Sequence, residues 1–387
     1  MPLIQRAALV LFAAIPLLGM AETPPTTDSL IAATQPGQRV ELPGVDLVNI
    51  PQIAYDRLIL PGPQYLISDD PEYIRELNVA AFRENVEPGR VRFYLYNVNG
   101  IKEPLTDTHI VPVIANKGAS TLHLRMVKFS SQQPSGNYFK IGKMGLFDYF
   151  HSEGSQEILT IEPGAFTALD ERFVATVLKK DDLVHGLYEF VIDQPAEISV
   201  VQIPAGTDYK AAWPTITGVL PTKSKSGAGR GVFGVSEYEI LMKEGFVLDT
   251  AEGPRQLIVA DGNNDPWVRG REATITEPAM LKGNYGVFYE INVERTSTDG
   301  RGLALIMWNA RADEGWCRGM AATVVVNGEV IQVPSNELNV RAFPECVVVK
   351  TFAPLPVGEK ETITVRYSPP GASCLPTPLV FLPYEVK

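Results

Sequence analysis

What most constrains this chain is the spacing of its apolar residues. β-branched and aromatic residues come in short runs, each closed by Gly, Pro, Asn or Asp. No long segment keeps the 3.6-residue apolar period of an amphipathic helix. The strongest local instance is Val324-Val-Val-Asn-Gly-Glu-Val-Ile-Gln-Val333, where Asn327-Gly328 favours positive φ at both turn positions and so closes a two-residue hairpin. Val91 to Val98, His109 to Ala115, Thr121 to Phe129, Gln156 to Ile161, Gly186 to Ile192 and Glu197 to Ile203 read as further strands. Leu303 to Trp308, Val347 to Phe352 and Thr362 to Tyr367 extend the series. Strands at this spacing predict an all-β chain of two tandem β-sandwich domains, Ig-like or jelly-roll, with at most short helices. One such helix is expected over Ser68 to Glu76, where Pro71 and first-turn acids follow capping residues.

Composition refines the division. The 32 glycines and 31 prolines in 387 residues suit many turns, short of the ~25–30% that marks low-complexity sequence. Met1 to Ala21 carries one cation, Arg6, before the apolar run Ala7 to Leu18, with small residues ahead of Glu22. That is a secretory signal cleaved after Ala21, since the run falls short of the ~20 residues a membrane span needs. No later stretch is long enough, so no integral membrane segment is expected. Residues 22–49 are Pro/Thr-rich at their start and read as a flexible lead. Residues 50–220 form the first sandwich and 232–387 the second. Between them 221–231, centred on Pro-Thr-Lys-Ser-Lys-Ser-Gly-Ala-Gly-Arg-Gly, reads as a linker.

The formal charge of −11 argues against nucleic-acid binding, for which a basic footprint is needed. Only Cys317, Cys346 and Cys374 occur, which allows one disulfide and one quiet buried thiol and leaves the pairing open. Neither a Cys-x-x-Cys pair nor a histidine beyond His185 is present for a zinc site in the second half.

Few motifs carry chemistry. Gly229-Arg-Gly-Val-Phe-Gly234 has the glycine spacing of a dinucleotide loop but follows a Ser/Lys/Gly stretch instead of a strand, so it reads as linker. Asp261, Asn263 and Asp265 alternate oxygen donors on one turn, the pattern a calcium ion favours, and Glu272 falls where a bidentate twelfth ligand would lie. Pro266 stands where that loop needs glycine, and the competing reading is an Asx-rich turn. Asp181 and Asp182 precede His185 closely enough for an acid–imidazole pair, against which stands a simple loop entering a strand. Trp267 and Trp316, beside acidic turns, are candidate sugar-stacking residues, with Trp213 and Trp308 in similar settings; core or rim packing is the alternative. The 45 acidic residues offer many possible pairs for a carboxylate-dependent hydrolase but single out none.

Arg92-Phe-Tyr-Leu-Tyr-Asn-Val98 is echoed by Val287-Phe-Tyr-Glu-Ile-Asn-Val293. The tract from Val91 to Gly100, with Gly283-Asn-Tyr-Gly-Val-Phe-Tyr289, resembles a poorly characterised group of exported bacterial surface and envelope proteins, some found with domains named after the copper amine oxidase N-terminus. The resemblance implies an envelope or extracellular setting and no activity. Copper oxidase chemistry itself is not implied. That family's quinone tyrosine lies in Thr-x-x-Asn-Tyr-Asp/Glu, whereas this chain has Leu281-Lys-Gly-Asn-Tyr-Gly286, and its four histidines all precede that tyrosine. The expectation is therefore an exported, non-catalytic structural or partner-binding protein that contacts a protein or polysaccharide, with self-association through sheet edges. A carbohydrate-binding protein using calcium and a carboxylate hydrolase are the alternatives.

Overall fold

The structure, a computed structural model, describes residues 25–223, 229–311, 319–336, 339–341 and 343–386. The expected secretion signal lies outside them, as do residues 224–228 of the expected linker. Among the described residues, 25 strands and four short α-helices occur, and the strands assemble into sheets of nine, four, seven and five. The strand-rich reading holds, and the Asn327-Gly328 hairpin forms between Ala322–Val326 and Glu329–Val333 with φ of 49° and 83° at its turn.

Gly89–Asn99 is central to the nine-stranded sheet. Gln64–Ser68 lies parallel on one side of it and Leu183–Ile192 antiparallel on the other. Both of its faces are covered. Phe93 and Leu95 share a core with Phe82, Ile110 and Val200 of the four-stranded sheet. Tyr94 and Tyr96 point the opposite way, as the two-residue side-chain period of a strand requires. They join a larger core that holds Ile291 and Val365 of the seven-stranded sheet and Leu305 and Phe381 of the five-stranded one. Burial on both faces is why this segment reads as a near-continuous apolar run. Its sequence echo, in Phe288–Thr296, occupies a matching position: parallel to Glu237–Met242 and antiparallel to Glu361–Tyr367.

Three expectations need correction. Residues 22–49 are not a flexible lead where they are described. Helix α1, Thr27–Ala33, is capped by Thr26, and Gln38–Glu41 pairs with Glu345–Phe352. Ile31, Leu42, Leu47 and Ile50 cover Ile306, Val348 and Val380 on the outer face of the five-stranded sheet. That face would otherwise stand apolar in water. Nor does 221–231 separate the sheets. Tyr55–Ile59 pairs with Glu237–Met242, while Arg230–Phe233 and Arg269–Arg271 extend the nine-stranded sheet. Finally, Ser68 to Glu76 is not helical: it turns through Asp70-Pro71, and Tyr73–Ile74 lies parallel to Gly89–Asn99. A helix this short is marginal alone, and pairing with a central strand outcompetes it.

The helix that matters was not legible. α2, Tyr138–His151, is capped by Asn137, whose side chain accepts from the Lys140 N–H at 3.1 Å. It packs Ile141, Leu146 and Tyr149 into the core beside Tyr94 and Tyr96. Two glycines make the approach possible. A Cβ on Gly145 would lie 2.0 Å from the His185 ring, and one on Gly142 would lie 2.4 Å from the Gly371 carbonyl oxygen. The remaining helices, α3 (Arg172–Ala175) and α4 (Tyr209–Ala212), are single turns. No described helix is long and apolar enough to cross a membrane.

Candidate functional site

The alternation that turns Tyr65 and Ile67 toward Tyr94 and Tyr96 continues past the strand to Asp69, whose N–H still bonds the Gly229 carbonyl at 2.8 Å. The chain then reverses. Asn97 holds the reversal, accepting from Ser68 Oγ at 2.7 Å and donating to the Pro71 carbonyl at 3.1 Å, while the Val98 N–H bonds the Glu72 carbonyl. Asp70 is buried and accepts the Lys223 backbone N–H at 3.1 Å. Asp69 and Glu72 are left flanking the turn, both half-buried.

Tyrosines surround them. Tyr73 and Tyr138 meet hydroxyl to hydroxyl at 3.0 Å with their rings edge to face, and Tyr138 donates onward to the Asp181 carbonyl at 2.9 Å. Tyr65 donates to the Tyr285 carbonyl at 2.5 Å, and Tyr94 accepts the Gly371 N–H at 2.9 Å. Gly371 sits so close to the Tyr96 ring that a Cβ there would lie 2.4 Å from it. Tyr94 and Tyr96 are buried; Tyr73, Tyr138 and Tyr285 are half-buried.

Asp69 Oδ1 is sealed from solvent and has no hydrogen-bond partner. Burial, then the Glu72 and Asp70 charges, push the Asp69 carboxyl well above the usual carboxylate range, against the pull of the Lys223 ammonium. Glu72 is raised as well, chiefly by burial, and Lys223 again opposes the shift. Burial also raises Tyr94, Tyr96 and Tyr285, so these phenols stay protonated.

Elsewhere the molecule treats its buried acids differently. Glu189 accepts from Arg92 Nη2 at 2.8 Å, Arg90 Nε at 2.7 Å and the Tyr149 hydroxyl at 2.7 Å, and the Arg92 guanidinium lies 4.1 Å from the Phe288 ring centre. Asp265 binds Arg57, which lies 4.7 Å from the Tyr238 ring centre. Asp170 binds Arg172 at 2.7 Å, and that guanidinium stands 5.2 Å from the Phe129 ring centre. Each of these acid–aromatic clusters holds a guanidinium. The cluster at Asp69 and Glu72 holds none in contact with either carboxyl among the described residues.

The residues singled out by sequence lie elsewhere. Asp261 accepts the N–H groups of Asn263, Asn264 and Asp265 at 2.8–3.2 Å, which is an Asx-turn cap. Asp265 is wholly buried and taken up by Arg57, the Tyr289 hydroxyl and the Ala260 N–H. Glu272 pairs with the buried Arg230 at 2.8 Å, away from that turn. The Asp261, Asp265 and Glu272 carboxylates are thus engaged by N–H and O–H donors, and no described group of three His, Cys, Asp or Glu could hold a metal. Trp267 is half-buried and packs on Gly262, where a Cβ would lie 2.5 Å from its ring. Trp213 stacks on Phe166 at 4.2 Å and Trp308 is buried; Trp316 lies outside the described residues. His185 is buried beneath Gly145, edge-on to Tyr94 at 5.1 Å, with no carboxylate partner; Asp182 instead accepts the Lys179 N–H. Cys346 is a free, buried thiol pushed up to about 12 by burial, Cys374 is disulfide-bonded, and Cys317 lies outside the described residues.

No family model and no curated protein matches the chain. Among solved structures, vicilin from Capsicum annuum aligns over 78% of this chain and 74% of its own at 9% identity, with a TM-score of 0.09.

Proposed function

We propose that this is an exported, non-catalytic binding protein of the bacterial envelope or extracellular space, and that its partner is held at the cluster of Asp69, Glu72, Tyr73, Tyr138 and Tyr285. In this reading the four sheets work as two β-sandwiches, joined through α2 and the tyrosine face of the nine-stranded sheet. The observation that carries the proposal is the unpartnered Asp69 Oδ1 beside a second raised carboxyl. Leaving a buried carboxyl oxygen without a donor costs stability, and proteins keep such costs mainly where function needs them. The rings around it offer apolar surface, because the hydroxyls of Tyr65, Tyr94 and Tyr138 are already bonded within the protein.

The test is to immobilise the full chain and its Asp69→Asn variant and recover partners from an extract of the producing cells' envelope. The same components should bind the native protein and be missing from the variant. Equal recovery by both would remove the cluster from the account. The paired raised carboxyls also favour a second reading, a hydrolase with one carboxyl as general acid. Turnover of a glycoside panel that is abolished in both Asp69→Asn and Glu72→Gln would select it.

A further inference from the structure

We propose a second site, sharing no residue with the Asp69 cluster: a cavity of about 420 Å³ beside Arg172 that takes a small uncharged aromatic ligand bearing a carbonyl acceptor. The cavity owes its shape to one extra residue. In the strand Leu122–Ser135, Lys128 pairs with Glu189 but Met126 pairs with Phe190, so Val127 is a β-bulge. Without it Met126 and Phe129, three residues apart, would face opposite ways. With it both join Tyr188 and Phe190 on one face, against the core shared with the four-stranded sheet. The bulge is held from outside, where the Ser155 N–H bonds the Met126 carbonyl and Ser152 Oγ accepts the Phe129 N–H, both at 3.0 Å. Leu169, in the chain that follows Phe166–Ala168, also lines the cavity. Met126 and Phe129 stay partly uncovered there, and the volume suits a small molecule.

The rim sets the ligand's chemistry. Buried Asp170 accepts the Tyr188 hydroxyl at 3.0 Å and Arg172 Nε and Nη2 at 2.8 and 2.7 Å. That grip holds the guanidinium 5.2 Å from the Phe129 ring centre, while 49% of the Arg172 side chain stays exposed. A guanidinium carries five N–H donors, so the edge bearing Nη1 is left to donate to a ligand. Met126, Phe129, Leu169 and Tyr188 give apolar walls for a ring, and the unbranched methionine adapts to its outline. A carbonyl fits better than a carboxylate. Asp170 already answers the Arg172 charge, Glu171 is exposed beside it, and the whole chain carries −11. An ammonium would meet the guanidinium itself.

The experiment titrates the full chain, isotope-labelled at its methionine methyls, with three probes built on one ring system: naphthylacetamide, naphthylacetate and naphthylethylamine. The Met126 methyl signal, assigned through Met126→Leu, should shift on adding the acetamide, with the acetate and the amine at least about tenfold weaker. Arg172→Leu, which removes the donors, should weaken the acetamide about tenfold, and Met126→Trp, which fills the cavity, should abolish its binding in ligand-observed spectra. The native-protein titrations decide the matter even where a variant fails to fold. A Met126 methyl that none of the three probes moves overturns the inference. So does an acetate that binds as tightly as the acetamide, which contradicts an uncharged ligand. Acetamide binding undiminished in a folded Met126→Trp places the ligand elsewhere and overturns it as well.

Discussion

His185 shows how one residue can be placed by sequence and still be misread. A simple loop entering the strand and an acid–imidazole pair were its two readings, yet it lies within Leu183–Ile192, whose alternation turns it inward, under Gly145 and against Tyr94. Burial lowers its pKa from 6.5 to about 3. The unfolded chain therefore binds a proton that the folded one refuses. His185 costs nothing above about pH 6.5 and destabilises progressively as pH falls toward 3, by at most about 1.4 kcal/mol per pH unit. His185→Leu should remove that slope: denaturant titrations between pH 4 and 7 should give a flatter stability profile than the native protein. An unchanged profile would mean the imidazole is not buried neutral. Asp69 was invisible for a different reason. One acid among 45 acquires meaning only when strand pairing sets it beside Glu72 and three tyrosine rings, and no local spacing reports that.

At the scale of elements, sequence located eleven of the 25 described strands, because each of these satisfies its own alternation or its own turn. Val324 to Val333 needed nothing beyond its Asn-Gly pair. Ser68 to Glu76 failed because capping and propensity favour a helix by little, whereas a parallel place beside Gly89–Asn99 satisfies backbone groups in a long sheet. α2 failed in the opposite sense. Gly142 and Gly145 lower its local helix signal and are needed by the neighbours that press on it. The lead was misjudged because its few apolar residues are widely spaced, yet Ile31, Leu42 and Leu47 all end fully buried. Leu42→Ala should accordingly cost about 2–5 kcal/mol in denaturant unfolding. A change below about 0.5 kcal/mol, normal for an exposed site, would mean that the lead does not pack.

For the whole molecule, the linker composition of 221–231 concealed strand exchange between the two halves. Tyr55–Ile59 serves a sheet of the second half, and Arg230–Phe233 serves one of the first. One core joins Tyr94 and Tyr96 with residues of both later sheets. Segments 22–220 and 232–387 made separately should therefore each lack cooperative unfolding, while the full chain melts in one transition. Two independent transitions, each reproduced by an isolated segment, would restore the tandem picture. The same interleaving brings Asp69 of the first half near Tyr285 of the second. The most direct test of the role of Asp69 is the stability of Asp69→Asn against the native protein at pH 4 and pH 8. A carboxyl raised in the folded state contributes stability at low pH that is lost as pH rises through its folded value. If Asp69 is retained for binding, the variant should match the native protein near pH 4 and be more stable at pH 8. A variant less stable at pH 8 would show that Asp69 holds the fold together, and would contradict a functional role for it.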